Sequence, residues 1–198
     1  MGGKIGNQNG RKYYINQDYF KTWSKNMAYI FGFWCADGCI YRGRCFDITL
    51  HKKDKYILKK IAEEFEYEGP IHDYVDRQAC RINFSCKEMY NDLINLGGEE
   101  NKSLTLKFPD IPEQYLADFI RGYFDGDGSV YDVQGKRFNS AICCGSKDFL
   151  FTLWDLLKKY TGIEGGSYDE KSKKIVFGKK DSEKLAAFIY KDSPELYL

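Results

Sequence analysis

Two stretches of the chain, ninety residues apart, say nearly the same thing: Ile30 to Gly38 reads IFGFWCADG, and Ile120 to Gly128 reads IRGYFDGDG. Each is an apolar helical run with a glycine near its start, closed by an aspartate and a second glycine that ends the helix. A duplication of this kind restricts the fold to two similar halves.

The segments around the two copies follow one order. Ser24 is placed to cap the first motif helix. Ile40 to His51 reads as a hairpin turning at Arg42-Gly43-Arg44, after which Phe46, Ile48 and Leu50 alternate with Asp47, Thr49 and His51. Asp54 opens a second helix with Ile57, Leu58, Ile61, Ala62 and Phe65 at helical spacing, ended by Gly69-Pro70. A second hairpin spans Ile71 to Ser85, where Cys80, Ile82 and Phe84 alternate with Arg81, Asn83 and Ser85. Tyr90, Leu93, Ile94 and Leu96 form a closing helix before Gly97-Gly98.

After Gly128 the order returns: hairpin (Val130 to Cys144), helix from Asp148, hairpin (Gly166 to Phe177) and closing helix through Leu185, Phe188 and Ile189. The expected organisation is a basic N-terminal extension, 1–23, with Lys4, Arg11, Lys12 and Lys21; a first repeat, 24–98; a linker, 99–115, with Pro109 and Pro112; and a second repeat, 116–198. The halves would form a pseudo-twofold dimer within one monomeric chain.

Composition narrows the class. The 198 residues are 43% hydrophobic and 17% aromatic, enough to bury a core without disulfides. Seven cysteines, with no C-x-x-C pair, read as buried free thiols of a reducing compartment. No apolar run is long enough for a bilayer, and Met1 opens no signal-peptide pattern, so the expectation is a soluble intracellular protein in a bacterial or phage-infected cytoplasm or an organelle. The formal net charge is only +1, so a nucleic-acid partner requires basic residues segregated onto one face. Two histidines and the lack of a Walker or Rossmann loop leave other nuclease and nucleotide-binding classes without their signatures.

The two motifs and the elements after them resemble the LAGLIDADG homing endonucleases in their single-chain, two-repeat form, most specifically at FIRGYFDGDGS, residues 119–129. The resemblance implies an α+β fold of two αββαββα halves, packed through the motif helices, with two sheets forming a saddle on DNA. It implies that the last acid of each motif, Asp37 and Asp127, binds a divalent metal, with the carbonyls of Ala36 and Gly126 as further ligands. Mg²⁺ is the expected cofactor, with Mn²⁺ or Ca²⁺ able to substitute for binding. Gly32 and Gly122 would let the motif helices approach closely. Phe31 and Arg121 stand where the family prefers small residues, which would loosen that contact, and Cys35 stands where the motif has its other acid.

The family also places a basic side chain near the scissile phosphates, and Lys102 matches that position best. The matching segment of the second half would follow Tyr197-Leu198.

Strand parity supplies a candidate DNA-facing set. With Phe46, Ile48 and Leu50 inward, Asp47, Thr49 and His51 point outward, as do Arg81, Asn83 and Ser85, Arg137 and Asn139, and Lys174. Arg42 and Arg44 gather on the same face. Arginine can read guanine and asparagine adenine in the major groove, whereas Lys52, Lys53, Lys147, Lys179 and Lys180 suit phosphates. The expected activity is site-specific, Mg²⁺-dependent cleavage of double-stranded DNA at a long target, leaving short 3′ overhangs. Two alternatives share the scaffold: an RNA maturase acting on its host intron, and a non-catalytic DNA-binding protein.

Overall fold

The computed structural model describes residues 12–133, 135 and 137–191, and the side chains of Val133 and Arg137 are outside that description. Lys4, Arg11, Tyr197 and Leu198 therefore lie outside the described residues.

The first half runs α1 (Lys25–Asp37), β1 (Gly38–Tyr41), β2 (Cys45–His51), α2 (Lys55–Glu64), β3 (Ile71–Tyr74), β4 (Ala79–Ser85) and α3 (Lys87–Asn95). The second runs α4 (Leu116–Asp127), β5 (Gly128–Val133), β6 (Arg137–Cys143), α5 (Lys147–Thr161), β7 (Ser167–Asp169), β8 (Lys174–Phe177) and α6 (Lys179–Ile189). The fold is α+β, with two four-stranded antiparallel sheets ordered β1-β2-β4-β3 and β5-β6-β8-β7. Gly38 pairs with Ile48 and Gly128 with Ile142, so the sheets correspond residue by residue: Asp47 to Ala141, Arg81 to Lys174, Asn83 to Val176.

Local chemistry explains most boundaries. Ser24 Oγ accepts a hydrogen bond from the Met27 amide at 3.0 Å and starts α1. Asp54 makes no side-chain cap; a 3-10 turn, Lys52–Asp54, leads into α2, with His51 Nδ1 accepting from the Lys53 amide at 3.2 Å. Ser146, rather than Asp148, caps α5.

Each motif helix passes straight into a strand. Gly38 (φ −92°, ψ 165°) and Gly128 (φ −87°, ψ 164°) are extended, not left-handed. Glycine is needed there for space, since a Cβ on Gly38 would stand 2.1 Å from Trp34 Cδ1 and one on Gly128 2.3 Å from the Phe124 carbonyl oxygen.

The motif helices form the most extensive contact between elements of the molecule. A Cβ on Gly32 would lie 2.0 Å from the Phe119 carbonyl oxygen, and one on Gly122 1.9 Å from that of Tyr29, so the two backbones touch. Residues Met27 to Cys35 are all buried, as are Leu116 to Tyr123, because each helix meets its twin on one side and its sheet and outer helices on the others.

The bulky residues do not loosen this contact, contrary to expectation, because both pack along it: the Phe31 ring centroid lies 5.5 Å from that of Phe119 on α4, and Arg121 covers Tyr29 on α1. Phe31 stacks on Trp34 with ring centroids 6.2 Å apart. Arg121 lies 5.1 Å over the Tyr29 ring and donates from NH1 to Asp118 Oδ1 at 2.8 Å and to the Ile189 carbonyl at 3.1 Å, fastening α4 to α6.

The segment between the halves is part of the core rather than a passive tether. Leu106 is buried, and Phe108 packs on Phe119 and Phe149 with ring centroids 5.3 and 5.2 Å away. Aperiodic sequence concealed this, since single anchors leave no pattern.

The halves differ under their sheets. In the first, Phe20 from the 3-10 turn Tyr19–Lys21 is buried against Phe46 and Phe65, with centroids 6.5 and 5.7 Å away. In the second, no described residue plays that part. Val130 and Phe138 are 60% and 64% exposed and line, with Ile189 and Tyr190, an apolar groove of about 250 Å³.

Two stability predictions follow from these contacts. Gly32→Ala or Gly122→Ala should cost about 1–3 kcal/mol or more in urea unfolding, since backbone must yield to the new methyl; unchanged midpoints would mean that the helices are not in backbone contact. Phe20→Ala should cost about 3–5 kcal/mol in the same assay, whereas a loss below about 1 kcal/mol would mean that the N-terminal turn does not anchor the first half.

Candidate metal centre and nucleic-acid interface

Because α1 and α4 touch backbone to backbone, their C-terminal ends arrive together. A Cβ on Gly126 would stand 2.4 Å from the Ala36 Cβ and 3.1 Å from Asp37 Oδ2, so the ends of the two motifs interlock. Asp37 is open to solvent on its outward side and backed by protein on the other. Burial and the charge of Asp127 push its carboxyl up to about 6, while Lys102 pulls it down. Burial also raises Asp127, against the Tyr123 hydroxyl and Lys102.

Two carboxylates that raise each other's cost of ionisation, with one ammonium near them, leave negative charge that a hard cation would offset. The carbonyls of Ala36 and Gly126 belong to the last turns of their helices, where carbonyls lack intrahelical donors. This oxygen donor set fits Mg²⁺. Among the described residues no group of three or more His, Cys, Asp or Glu could hold a metal. The remaining ligands would have to come from water and a bound phosphate.

Lys102 lies in the segment between the halves and is 7% exposed. Its Nζ donates to the Gly38 carbonyl at 2.6 Å and sits 5.3 Å from the centre of the Trp34 ring. A position in the linker gave no hint of this burial, yet the structure brings Lys102 into the field of both acids.

The expectation that all seven cysteines are buried fails. Cys39, directly after Gly38, and Cys143 are exposed, and Cys45 is half-buried. Cys143 Sγ donates to the Asp127 carbonyl at 3.0 Å. Cys35 is buried, and its thiol is pushed up to about 12 by desolvation. Its counterpart Asp125 accepts from Tyr29 at 2.8 Å and Tyr190 at 3.0 Å. The residue matching Tyr29 in the other half is Phe119, which offers no hydroxyl, so an acid at position 35 would lose that donor.

The outer faces of the sheets carry most of the candidate polar set. Thr49, His51, Lys52, Lys53, Arg42, Arg44, Ser85 and Lys147 are exposed, and Arg81, Asn83, Asn139 and Lys174 are half-buried. Arg137 belongs to β6, and its side chain lies outside the described residues. Lys179 and Lys180 depart from the expectation: they open α6, which packs against β6 and β8, and Lys179 lines the apolar groove instead of the outer face.

Asp47 requires the firmest correction. It lies on the outer face, as parity requires, but is only 4% exposed. Arg81 donates to its Oδ2 from Nε at 2.6 Å and also from NH2, Asn83 Nδ2 donates to Oδ2 at 2.9 Å, and Thr49 Oγ1 donates to Oδ1 at 3.1 Å. Alternation gives a side chain's face, but not the neighbours that close over it.

Among the described residues no helix is long and apolar enough to cross a membrane. Residues 114–189 match the family model described as a LAGLIDADG-like domain. The chain is 28% identical over 146 residues to a probable translation initiation factor IF-2 of Methanocaldococcus jannaschii, a match that covers 69% of this chain and 12% of that protein. The chain thus spans only a small part of that relative. The homing endonuclease I-WcaI, solved bound to its DNA recognition sequence, superposes with a TM-score of 0.61 at 17% identity, over 88% of this chain and 86% of that one. Full-length DUF199/WhiA from Thermatoga maritima gives a TM-score of 0.57 at 15% identity, over 88% of this chain and 59% of that one. The second half thus carries the match to the LAGLIDADG-like domain model, and the chain as a whole has a two-repeat fold like that of the homing endonuclease I-WcaI.

Proposed function

We propose that the chain is a site-specific endonuclease that binds double-stranded DNA on the outer faces of its two sheets and cuts both strands with Mg²⁺, leaving short 3′ overhangs. The observation that carries this reading is the meeting of Asp37 and Asp127 at the ends of helices in backbone contact, where Lys102 compensates their charges only in part. The likeness of fold to I-WcaI, which was solved on its DNA target, supports DNA as the substrate.

In this reading Asp37 and Asp127, with the Ala36 and Gly126 carbonyls, hold the cation. When bound, Mg²⁺ would activate water and stabilise charge on the leaving oxygen. Lys102 supplies a fixed positive charge beside both acids, and its bond to the Gly38 carbonyl keeps it from swinging into solvent. Arg42, Arg44, Lys52, Lys53 and Lys147 neutralise backbone phosphates, while groups on β2, β4, β6 and β8 meet base edges. Each motif helix continues without a loop into the first strand of its sheet, so DNA seated on the sheets lies beside the acids.

A plasmid library with randomised inserts, incubated with the protein and Mg²⁺, should be linearised at inserts that share a sequence. Asp37→Asn and Asp127→Asn should each slow that cleavage at least about a hundredfold while retaining gel-shift binding to the selected duplex. Wild-type cutting by either variant would refute the assignment of the acids.

The same pair makes a stability prediction in EDTA. Asp37 titrates near 3.8 when unfolded and near 6 when folded, so the folded state holds the extra proton between these values. Wild-type stability should fall as pH rises from about 4 to 6 and carry the full penalty above that. Asp37→Asn should therefore be the more stable protein at pH 7 without divalent cation, and lose that advantage near pH 4. A less stable Asp37→Asn at pH 7 would mean that the carboxylate is satisfied without a metal.

A further inference from the structure

The two sheets present unlike surfaces beside the carboxylate pair. In the first half, Cys39 pairs with Asp47 one step from Gly38, and Asp47 in turn faces Asn83 across β2 and β4. Asp47 Oδ2 takes donors from Arg81 Nε and NH2 and from Asn83 Nδ2. Asn83 Nδ2 also donates to the Tyr41 hydroxyl and the Phe46 carbonyl, each at 3.0 Å. In the second half the same positions hold Ala141, Lys174 and Val176, which cannot reproduce this network.

Donor geometry then separates the roles of Arg81 and Asn83. The Asn83 amide nitrogen has two hydrogens and three inward acceptors, so it has no donor left for adenine. The hydrogen bonds of Arg81 leave from Nε and NH2 toward Asp47 and Tyr41. The NH1 end of its fork is not used by these bonds, although the Tyr74 hydroxyl also interacts with the guanidinium, and the Arg81 side chain retains 32% of its exposure while that of Asp47 retains 6%. A guanidinium so held presents NH1 to a groove in one orientation, as a fixed donor that fits an acceptor on the major-groove edge of guanine, O6 or N7.

We propose that Asp47, braced by Asn83, is a positioning residue that makes Arg81 the guanine-reading side chain of the first half, at the base pairs nearest the cleavage centre, with no counterpart in the second half. The proposal rests on the reading of the sheets as a DNA-binding surface. Fixing the arginine before DNA arrives removes the rotamer entropy that an unheld side chain would lose on binding. The carboxylate also cancels the arginine's charge at a distance and repels phosphates, so Arg81 adds little general affinity and mainly discriminates between sequences.

The test uses the whole chain and a pool of random-sequence DNA duplexes, with bound molecules sequenced after selection in Ca²⁺. Wild type should enrich guanine at one inner position of one half-site, about tenfold or more over other bases. Asp47→Ala should flatten that position alone, while binding to the unselected pool stays equal or strengthens, since a negative charge is lost. Arg81→Ala should flatten the same position, and the double variant should do no more than either. A merely structural role would instead weaken every position together and lower the melting temperature. If Asp47→Ala does not fold, Asp47→Asn keeps the size and carries the same expectation in weaker form. Retained guanine preference in the folded variant, or even flattening of all positions, overturns the proposal. If wild type enriches no sequence at all, the DNA-binding reading itself fails and this inference fails with it.

Discussion

The contact on which the rest of the molecule depends is the one between the backbones of α1 and α4 at Gly32 and Gly122. A methyl at either glycine would fall about 2 Å from a carbonyl oxygen of the other helix, so the helix separation is set by main chain, not by adaptable side chains. Everything downstream inherits that spacing. Each helix ends in an aspartate and continues directly as the first strand of its sheet, with no loop to absorb error. Fixing two backbones therefore fixes two carboxylates and the edges of two sheets together. Core aromatics reinforce the arrangement from outside: Phe31 on Trp34, Phe108 across Phe119 and Phe149, and Tyr123 on Phe149.

Duplication made the halves similar in order but left their energetics unequal. The first is sealed below by Phe20, whereas the second exposes Val130 and Phe138 over an apolar groove. The linker enters the second half along the Phe119 and Phe149 side, leaving the groove between α6 and its sheet uncovered by it. The acid at Asp125 survives where Tyr29 and Tyr190 donate to it, and is replaced by buried Cys35 where the facing position is Phe119. In each case the residue follows from what its partner can satisfy.

Much of this was legible in the sequence because it is periodic or repeated. The element order, the Ser24 cap and the inward strand residues follow from spacing, and the close approach at Gly32 and Gly122 from the family resemblance. What escaped depends on single tertiary contacts. Nothing in an aperiodic linker marks Lys102 as buried against Trp34, or Leu106 and Phe108 as core. Period two places Asp47 on the outer face, but Arg81 and Asn83, more than thirty residues away, are what cover it. Lys179 and Lys180 look like phosphate ligands by charge, but the packing of α6 beneath its sheet decides where they stand. Cys39 and Cys143 read as core residues by type, yet strand alternation turns both outward.

In a chain of net charge +1, surplus charge of either sign is decided locally by which groups are paired. Here the pairing differs by site. On the first sheet Asp47 cancels Arg81, so attraction is suppressed where base edges would be met. At the helix ends Asp37 and Asp127 stand together with Lys102 as their common counterweight, so negative charge is left over where a cation would sit. Burial and the charge of Asp127 hold the Asp37 carboxyl above its ordinary range, so without a cation its ionised form is disfavoured at neutral pH. Under the proposed function stability is tied to occupancy: a cation held at the helix ends would bind and stabilise through the same carboxylate and carbonyl oxygens, so that folding and metal binding would share one piece of geometry.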